Sequence, residues 1–252
     1  MADGVGRSAV MTSGAILWCL EKIRVAATAD DLHHVLRHIC EAYQLAHAVF
    51  HATDTPAVRA ERPLLILTYP AEWVENYTRR DYFKIDPVVA IGRVGFLSLD
   101  WSTIDQKTAS SAKFFREADE FGVGRHGLTT TVRGPSGERS LFTVTSNANA
   151  AQWTRQRDAC IHEFQIIANH FHQRAMISTG LRGGDGPLPL SKREKQCIEL
   201  LAKGFLPKQI AALLDLSESA IRLYLCSARR KLQASTTSQA IAIALSLELI
   251  TA

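Results

Sequence analysis

Apolar residues recur every three or four positions in two segments near the amino terminus, which predicts two amphipathic helices. Asp30 or Asp31 stands where the second helix needs an N-cap. Residues 1–11 are mostly small or polar, and we expect them to be disordered. The apolar faces of the two helices are predicted to be Ile16, Leu17, Leu20 and Ile23, then Leu32, Val35, Leu36 and Ile39.

The pattern then changes to one that favours strands. Residues 46–51 and 64–68 are strand-like, and residues 127–146 predict a hairpin whose turn is 134–137, a Gly-Pro-Ser-Gly sequence. Helices are predicted at 71–82, 110–121 and 152–177, with Asp86 and Pro87 in a loop between the first two. Helices on both sides of a mostly antiparallel sheet make an α/β/α sandwich.

Residues 178–189 contain four glycines and two prolines, which suit a linker rather than a helix or strand. The length of 252 residues accommodates two domains. We therefore predict an α+β chain: an N-terminal α/β/α ligand-binding domain at 1–177, the linker, and a small all-α domain at 190–252.

The second domain has the pattern of a helix-turn-helix. Pro207 suits the start of a short helix, residues 215–216 the turn, and Ser217 the N-cap of a helix that reaches about residue 232. Polar and basic residues occupy the side of that helix that can enter a major groove of DNA. Its apolar seam is Ile221, Leu225, Ala228 and Leu232. The predicted DNA-contacting residues are Ser217, Ser219, Arg222, Cys226, Arg229, Arg230 and Lys231.

Charge supports this prediction. Residues 187–252 hold nine Lys or Arg and five acids, and the whole chain carries a net charge of +4. The excess positive charge therefore lies in the second domain, where it suits binding to phosphates. Five cysteines without paired spacing, and no apolar stretch that fits a leader or a membrane span, predict a reduced cytoplasmic protein.

Aromatic residues with polar tips cluster around one carboxylate in the first domain. They suit a closed pocket for a small, partly apolar ligand that carries amide and carbonyl groups. An ordinary aromatic core, with Asp86 capping a turn before Pro87, fits the same spacing. The cluster consists of Tyr69, Trp73, Tyr77, Asp86 and Trp101.

These residues resemble the LuxR-type quorum-sensing regulators, which bind an acyl-homoserine lactone and act on DNA. The resemblance covers nearly the whole chain. It rests on the aromatic cluster with Asp86-Pro87, the sequence FREADEFGVGRHGL at 115–128, and, in the second domain, Glu194, Ile198, Gly204 and Lys231-Leu232.

The resemblance implies a role for each pocket residue. The Trp73 indole N–H would donate to the lactone carbonyl, Asp86 would accept from the ligand amide, and Tyr69 would donate to the acyl carbonyl. Tyr77 and Trp101 would enclose the lactone ring, while Thr143 stands where the family often has a hydroxyl for the acyl carbonyl. No cofactor is implied beyond this small-molecule autoinducer.

Several positions depart from the family pattern, two of them where the family usually contacts DNA. Thr131 replaces a usual proline. In the second domain, Phe205-Leu206 replace a common Lys-Thr, Gln209 a Glu, Ala220 a Thr and Tyr224 a His. Arg222 stands in the half of the helix that reaches base edges, and Lys231 beside the phosphate backbone.

The sequence also bears on other classes of protein. The sequence has no nucleophile elbow, phosphate-binding glycine loop or metal-spaced His/Cys group, so an enzyme is not predicted. His34 and His38 are four residues apart, but no third ligand is evident. A phosphorylation-driven response regulator shares the DNA module, and a heterodimerising anti-activator that does not bind DNA is a further alternative. The apolar stripe of Cys160, Phe164, Ile167 and Phe171 predicts a homodimer that reads an inverted repeat.

Overall fold

The computed structural model describes residues 4–55, 63–106, 108–134, 137–182 and 189–251, with the first ten of these as backbone only. It divides into a larger unit, which holds almost all residues up to Leu181, and a smaller one from Arg182 onward. The predicted linker overlaps this boundary, although its residues 183–188 lie outside the described ranges.

The two N-terminal helices are α1, Gly4–Val25, and α2, Ala29–Ala42. The structure differs from the predicted disordered segment, because α1 begins at Gly4; of residues 1–11, the structure leaves 1–3 undescribed. Helix α2 starts from Thr28, whose hydroxyl accepts from the Asp31 N–H at 3.1 Å while the Asp31 carboxylate accepts from the Thr28 N–H at 3.0 Å. Asp31 is therefore the third residue of the helix, N3, in a capping box whose N-cap is Thr28.

The predicted buried face of α2 is confirmed, but that of α1 is partly wrong. Leu17 is 66% exposed, whereas Cys19 and Ile23 are buried. At 100° per residue, Ile16 and Cys19 point within about 40° of Ile23, while Leu17 points about 120° away. The core-facing direction is thus set by Cys19 and Ile23.

Five antiparallel strands form one sheet in the order β2-β1-β5-β4-β3. The predicted hairpin is confirmed by β4 and β5, which pair from His126 with Ser146 to Arg133 with Arg139. In its turn Gly137 has φ of 73°, while residues 135–136 lie outside the described part. The strands are β1, His47–Asp54; β2, Leu65–Leu67; β3, Leu99–Asp100; β4, His126–Arg133; and β5, Arg139–Ser146.

Successive residues of a strand face opposite layers, and both faces of this sheet are covered. Phe142 and Val144 of β5 point into a core formed with α1, α2 and the long helix α6, Ala150–Ser178. Leu141 and Thr143 point to the other face. That face carries α3, Ala71–Arg79; α4, Pro87–Val94; and α5, Ala109–Glu120. The α/β/α sandwich is confirmed.

Helix α4 was not predicted, since Asp86 and Pro87 were placed in a loop. Asp86 is its N-cap, and Pro87 occupies its first position, where a missing N–H has no cost. The stripe on α6 also differs from its interpretation. Cys160, Phe164 and Ile167 are at most 5% exposed within the core of this unit, so the stripe offers no surface for a second chain.

The smaller unit contains α7, Lys192–Ala202; α8, Pro207–Leu214; α9, Glu218–Lys231; and α10, Thr237–Ser246. The Ser217 hydroxyl caps α9 by accepting from the Ala220 N–H at 3.2 Å. Asp215 adopts the left-handed conformation with φ of 53° and forms the predicted turn. All four residues of the predicted apolar seam are buried, so the helix-turn-helix is confirmed.

A buried ion pair joins the first and third helices of this unit. Glu194 is 4% exposed, and its carboxylate accepts from the Lys231 ammonium at 2.8 Å and from the Ser191 N–H at 2.5 Å. Burial alone would raise the pKa of Glu194, but hydrogen bonds from Lys231, Ser227 and Ser191 outweigh it and lower the pKa to about 2. Lys231 also donates to the Pro189 carbonyl, so its charge is used inside the unit.

We predict that Glu194→Gln destabilises the smaller unit by about 1–3 kcal/mol at pH 7, because Lys231 loses its charged partner. Since the pKa of Glu194 is lowered by folding, its contribution is present above about pH 4.5 and is lost as the pH falls toward 2. Scanning calorimetry of the full chain between pH 3 and 7 should show a smaller acid-induced loss in Glu194→Gln than in the parent. The exposed Glu248→Gln is the matched control, and parallel pH profiles in all three proteins would contradict the prediction.

Candidate functional site

All six side chains predicted to contact a ligand line one pocket in the larger unit. The pocket lies between the sheet and the layer of α3, α4 and α5. Tyr69, Trp73, Tyr77, Asp86, Trp101 and Thr143 share its wall with apolar residues that include Val49, Leu65, Val88 and Leu141. A mostly apolar wall with a few polar groups is typical of small-molecule sites.

Asp86 is the charged centre of the pocket. Its Oδ1 accepts from the backbone N–H groups of Val88, at 2.8 Å, and Val89, at 3.3 Å, while its Oδ2 accepts from the Tyr77 hydroxyl at 2.8 Å. Burial raises its pKa to about 6, against the opposing effect of these hydrogen bonds. The charged form of Asp86 keeps a lone pair that can accept a further hydrogen bond.

Trp73 and Tyr69 bring donors to the same space. Trp73 is 2% exposed and packs against Tyr77 and Phe114, each with ring centroids 5.8 Å away. Burial, together with the charge of Asp86, raises the pKa of Tyr69, so its hydroxyl is protonated. No group in the described part of the chain accepts a hydrogen bond from the Trp73 indole N–H or the Tyr69 hydroxyl.

Trp101 and Thr143 are linked through a residue that sequence reasoning missed. The Trp101 indole N–H donates to Thr129 Oγ1 at 3.0 Å, and Thr129 Oγ1 lies 2.9 Å from Thr143 Oγ1. When Thr129 donates its own proton to Thr143, the Thr143 hydroxyl proton is left for a ligand. In the sequence, Thr129 could have been found from its spacing, because it follows Gly127 by two residues on β4 and both residues therefore lie beneath the Trp101 ring.

Gly127 is required by close packing rather than by its backbone conformation. A Cβ at this position would lie 2.3 Å from Trp101 Cδ2, so the indole rests directly on β4. Gly127, within the sequence FREADEFGVGRHGL, therefore allows Trp101 to lie against β4 as part of the pocket wall.

Glu117 supports the pocket from behind. Its carboxylate accepts from the Tyr82 hydroxyl at 2.6 Å and from Asn76 Nδ2 at 3.2 Å, and Arg80 lies 3.3 Å away. Asn76 belongs to α3 and Glu117 to α5, so the network fixes the helix that carries Trp73 and Tyr77. In the sequence, Glu117 stands on the apolar face of a predicted helix, and a glutamate buried there needs hydrogen-bond partners inside the protein.

The predicted DNA-contacting residues separate into two groups. Those that lie exposed on one side of α9 are Ser219, Arg222, Cys226 and Arg230. Ser217 is exposed but its hydroxyl oxygen caps the helix. Arg229 is half-buried and donates to the Ser235 carbonyl at 2.7 Å, and the Lys231 ammonium lies in the ion pair with Glu194. Lys231 therefore has a structural role inside the unit in addition to the phosphate contact predicted for it.

Some departures from the family pattern also have a structural account. Gln209 replaces the family's Glu as a cap, since its side-chain oxygen accepts from the Leu206 N–H at 2.8 Å. Tyr224 and Phe205 are partly buried against the core of this unit. Sequence reasoning missed Leu223, an apolar side chain that is 71% exposed beside Arg222 on the same side of α9. Within the described ranges, no helix combines the length and apolar character needed to cross a membrane.

Both units match known families. Residues 28–175 match the family described as autoinducer binding domain, and residues 188–244 the family described as bacterial regulatory proteins, luxR family. The transcriptional activator protein RaiR of Rhizobium etli is 48% identical over 216 residues, which cover 85% of this chain and 87% of RaiR. The quorum-sensing regulator RhlR of Pseudomonas aeruginosa is 27% identical and covers 73% of this chain and 74% of its own.

Solved structures show the same fold. Escherichia coli SdiA aligns with a TM-score of 0.65 at 18% identity and covers 94% of this chain and 98% of its own. The N-acylhomoserine lactone dependent factor CepR2 of Burkholderia cenocepacia aligns with a TM-score of 0.54 at 19% identity over 66% of this chain and 98% of its own.

We predict that Gly127→Ala destabilises the larger unit by about 1–3 kcal/mol, because the added methyl overlaps the Trp101 ring. Thermal unfolding of the full chain followed by tryptophan fluorescence should show a lower midpoint and a changed emission maximum. Gly14→Ala is the matched control, since a Cβ there meets nothing within 4 Å and the substitution favours a helix. Equal midpoints for the parent and Gly127→Ala would contradict the close packing of Trp101.

Proposed function

This chain belongs to the family of LuxR-type transcriptional regulators with an autoinducer-binding domain, and from that premise we propose that it binds an acyl-homoserine lactone and, as a homodimer, an inverted-repeat promoter site. It is a transcription regulator and not an enzyme. The observation that carries the ligand proposal is the buried Asp86 carboxylate in a pocket that also holds unpaired donors.

A ligand amide is the natural partner for this carboxylate. Asp86 already accepts from Tyr77 and from two backbone N–H groups, and a ligand N–H adds a further charge-assisted hydrogen bond. Trp73 and Tyr69 supply the donors that two carbonyls of one ligand require. An acyl-homoserine lactone has this set of groups: one amide N–H, an acyl carbonyl and a lactone carbonyl.

The remaining wall suits the other parts of such a ligand. Tyr77 and Trp101 enclose the lactone ring, and Thr143 directs its hydroxyl toward the acyl carbonyl. Apolar side chains beyond Thr143, among them Leu65 and Leu141, accommodate the acyl chain. Burial of that chain supplies affinity through the hydrophobic effect, while the polar groups fix its orientation.

The exposed side of α9 is proposed to enter the major groove. Arg222 lies in the first half of the helix and is 76% exposed at its side chain, so it reaches base edges. Arg230 lies near the other end, where a helix approaches the phosphate backbone. Because DNA is the target, we propose that the protein acts in the cytoplasm.

Dimerisation is supported by exposed apolar side chains rather than by the buried stripe of α6. Leu17 and Val25 of α1 are 66% and 53% exposed, and Ile177 of α6 is 50% exposed. One recognition helix makes a small interface with DNA, and joining two copies converts the second contact into an intramolecular one. The match of residues 28–175 to an autoinducer-binding domain disfavours the response-regulator alternative.

We predict that Asp86→Asn weakens lactone binding about ten- to a hundredfold, the equivalent of losing one charge-assisted hydrogen bond. Isothermal titration calorimetry of the full chain against a panel of acyl-homoserine lactones measures this. Asp119→Asn, which alters an exposed carboxylate outside the pocket, is the matched control and should bind as the parent does.

The same titrations should depend on pH. Because the charged form of Asp86 accepts the ligand N–H, the affinity of the parent should fall as the pH is lowered through about 6 and stay level above it. Asp86→Asn should lack this dependence. Equal affinity of the parent and Asp86→Asn at pH 7 would place the amide elsewhere.

We predict that Arg222→Ala costs about 1–3 kcal/mol of DNA affinity and relaxes preference at one base pair. Arg230→Ala should weaken binding to all DNA sequences alike and reduce the slope of log affinity against log salt concentration by about one. Fluorescence anisotropy over operator variants and a salt series separates the two effects. Lys231→Ala should instead lower the stability of the smaller unit.

The same assay tests the dimer and the anti-activator alternative. A complete inverted repeat should bind more tightly than a single half-site, and sedimentation should give two chains per site. A uniform loss in both arginine variants would contradict the assignment of α9 as the base-reading helix. Absence of any DNA binding with ligand present would favour the heterodimerising anti-activator.

A further inference from the structure

A histidine lies in the apolar part of the pocket and has no role in the proposed contacts. His51 is the fifth residue of β1 and is 8% exposed. It points to the same face of the sheet as Val49, and both line the pocket. Its strand partners are Leu65 on β2 and Leu141 on β5, so its immediate surroundings are apolar.

The imidazole is neutral and lacks a polar partner. Burial, with a smaller effect from the charge of Arg93, lowers the pKa of His51 to about 4. A neutral imidazole has one N–H donor and one nitrogen acceptor. Its ring lies 5.7 Å from the Phe83 ring, and no described residue forms a hydrogen bond with either nitrogen. Neither nitrogen is among the fully enclosed atoms without a partner in the described residues, and His51 lines the pocket, so a polar group of a ligand can reach the imidazole.

The sheet gives the position of His51 relative to the polar end of the pocket. Tyr69 packs on His47 of β1, with ring centroids 5.5 Å apart, and Thr143 pairs with Val49. His51 follows Val49 by two residues, about 7 Å further along the strand. The order along the sheet is thus Tyr69, then Thr143, then His51.

On the pocket wall opposite the sheet, Phe83 lies between Tyr77 and His51. The Phe83 ring is 4.8 Å from the Tyr77 ring and 5.7 Å from the His51 ring, so it separates the Asp86 end of the pocket from the histidine. A ligand whose amide lies at Asp86 and whose acyl carbonyl lies near Thr143 therefore carries its chain past Phe83 to His51.

We propose that His51 is a specificity-determining residue that forms a hydrogen bond with an oxygen substituent on the acyl chain, several carbons from the acyl carbonyl. The protein then prefers a chain with one hydroxyl or ketone at that depth over an unsubstituted chain of the same length. This inference rests on the proposed function and extends it to the class of acyl chain.

The test uses the full chain and a series of acyl-homoserine lactones of one length, unsubstituted or with one hydroxyl at each successive carbon. Calorimetry should show one position that binds about two- to tenfold more tightly than the unsubstituted ligand, the equivalent of one net hydrogen bond. His51→Leu should remove that preference and bind the unsubstituted ligand at least as tightly as the parent does. His51→Gln, which keeps a donor and an acceptor, should retain part of it.

Leu141→Met is the matched control, because it changes the same rung of the sheet without adding a hydrogen-bonding group. It should shift the affinity for all members of the series alike. A parent that binds every position with equal affinity, or a preference that persists in His51→Leu, overturns the inference and leaves the proposed function intact. If no lactone of any length binds the parent, the proposed function fails and the role of His51 fails with it.

Discussion

A carboxylate that leaves water needs hydrogen-bond donors inside the protein, and the pocket of this chain is arranged around that requirement at Asp86. The backbone N–H groups at the start of α4 and the Tyr77 hydroxyl satisfy it in part. Because Tyr77 belongs to α3, one side chain orients two helices and the pocket wall between them. Behind α3, the buried carboxylate of Glu117 likewise has donors inside the protein, since it accepts hydrogen bonds from Asn76 and Tyr82. We propose that the amide N–H of a ligand donates the remaining hydrogen bond to Asp86.

Much of this arrangement could be predicted from the sequence, because it depends on local periodicity and caps. The alternation of β4 and β5, the seam of α9 and the Ser217 cap are short-range features. The aromatic cluster around Asp86 was visible in the sequence, but its spacing alone also suits an ordinary core, so Thr143 and the role of each pocket residue came from the resemblance. The structure brings them together in one pocket, which is the geometry that the proposed ligand requires.

The features that the sequence did not reveal depend on tertiary partners. A stripe such as Cys160, Phe164 and Ile167 has the same pattern whether it faces its own core or a second chain, and here it faces the core. Lys231 is as basic as Arg230, but only Lys231 lies next to Glu194. Helix α4 is short, and its start at Asp86-Pro87 resembles a turn. Thr129 and His51 belong to the pocket through contacts with residues that are distant along the chain.

The central claim is that Asp86 holds the amide of an acyl-homoserine lactone. Mass spectrometry of small molecules extracted from the purified full chain, after expression beside a lactone-producing strain, measures this most directly. The account predicts one acyl-homoserine lactone per chain from the parent, none without the producing strain, and strongly reduced recovery from Asp86→Asn. Recovery of a ligand without an amide N–H, or equal recovery from the parent and Asp86→Asn, would contradict it.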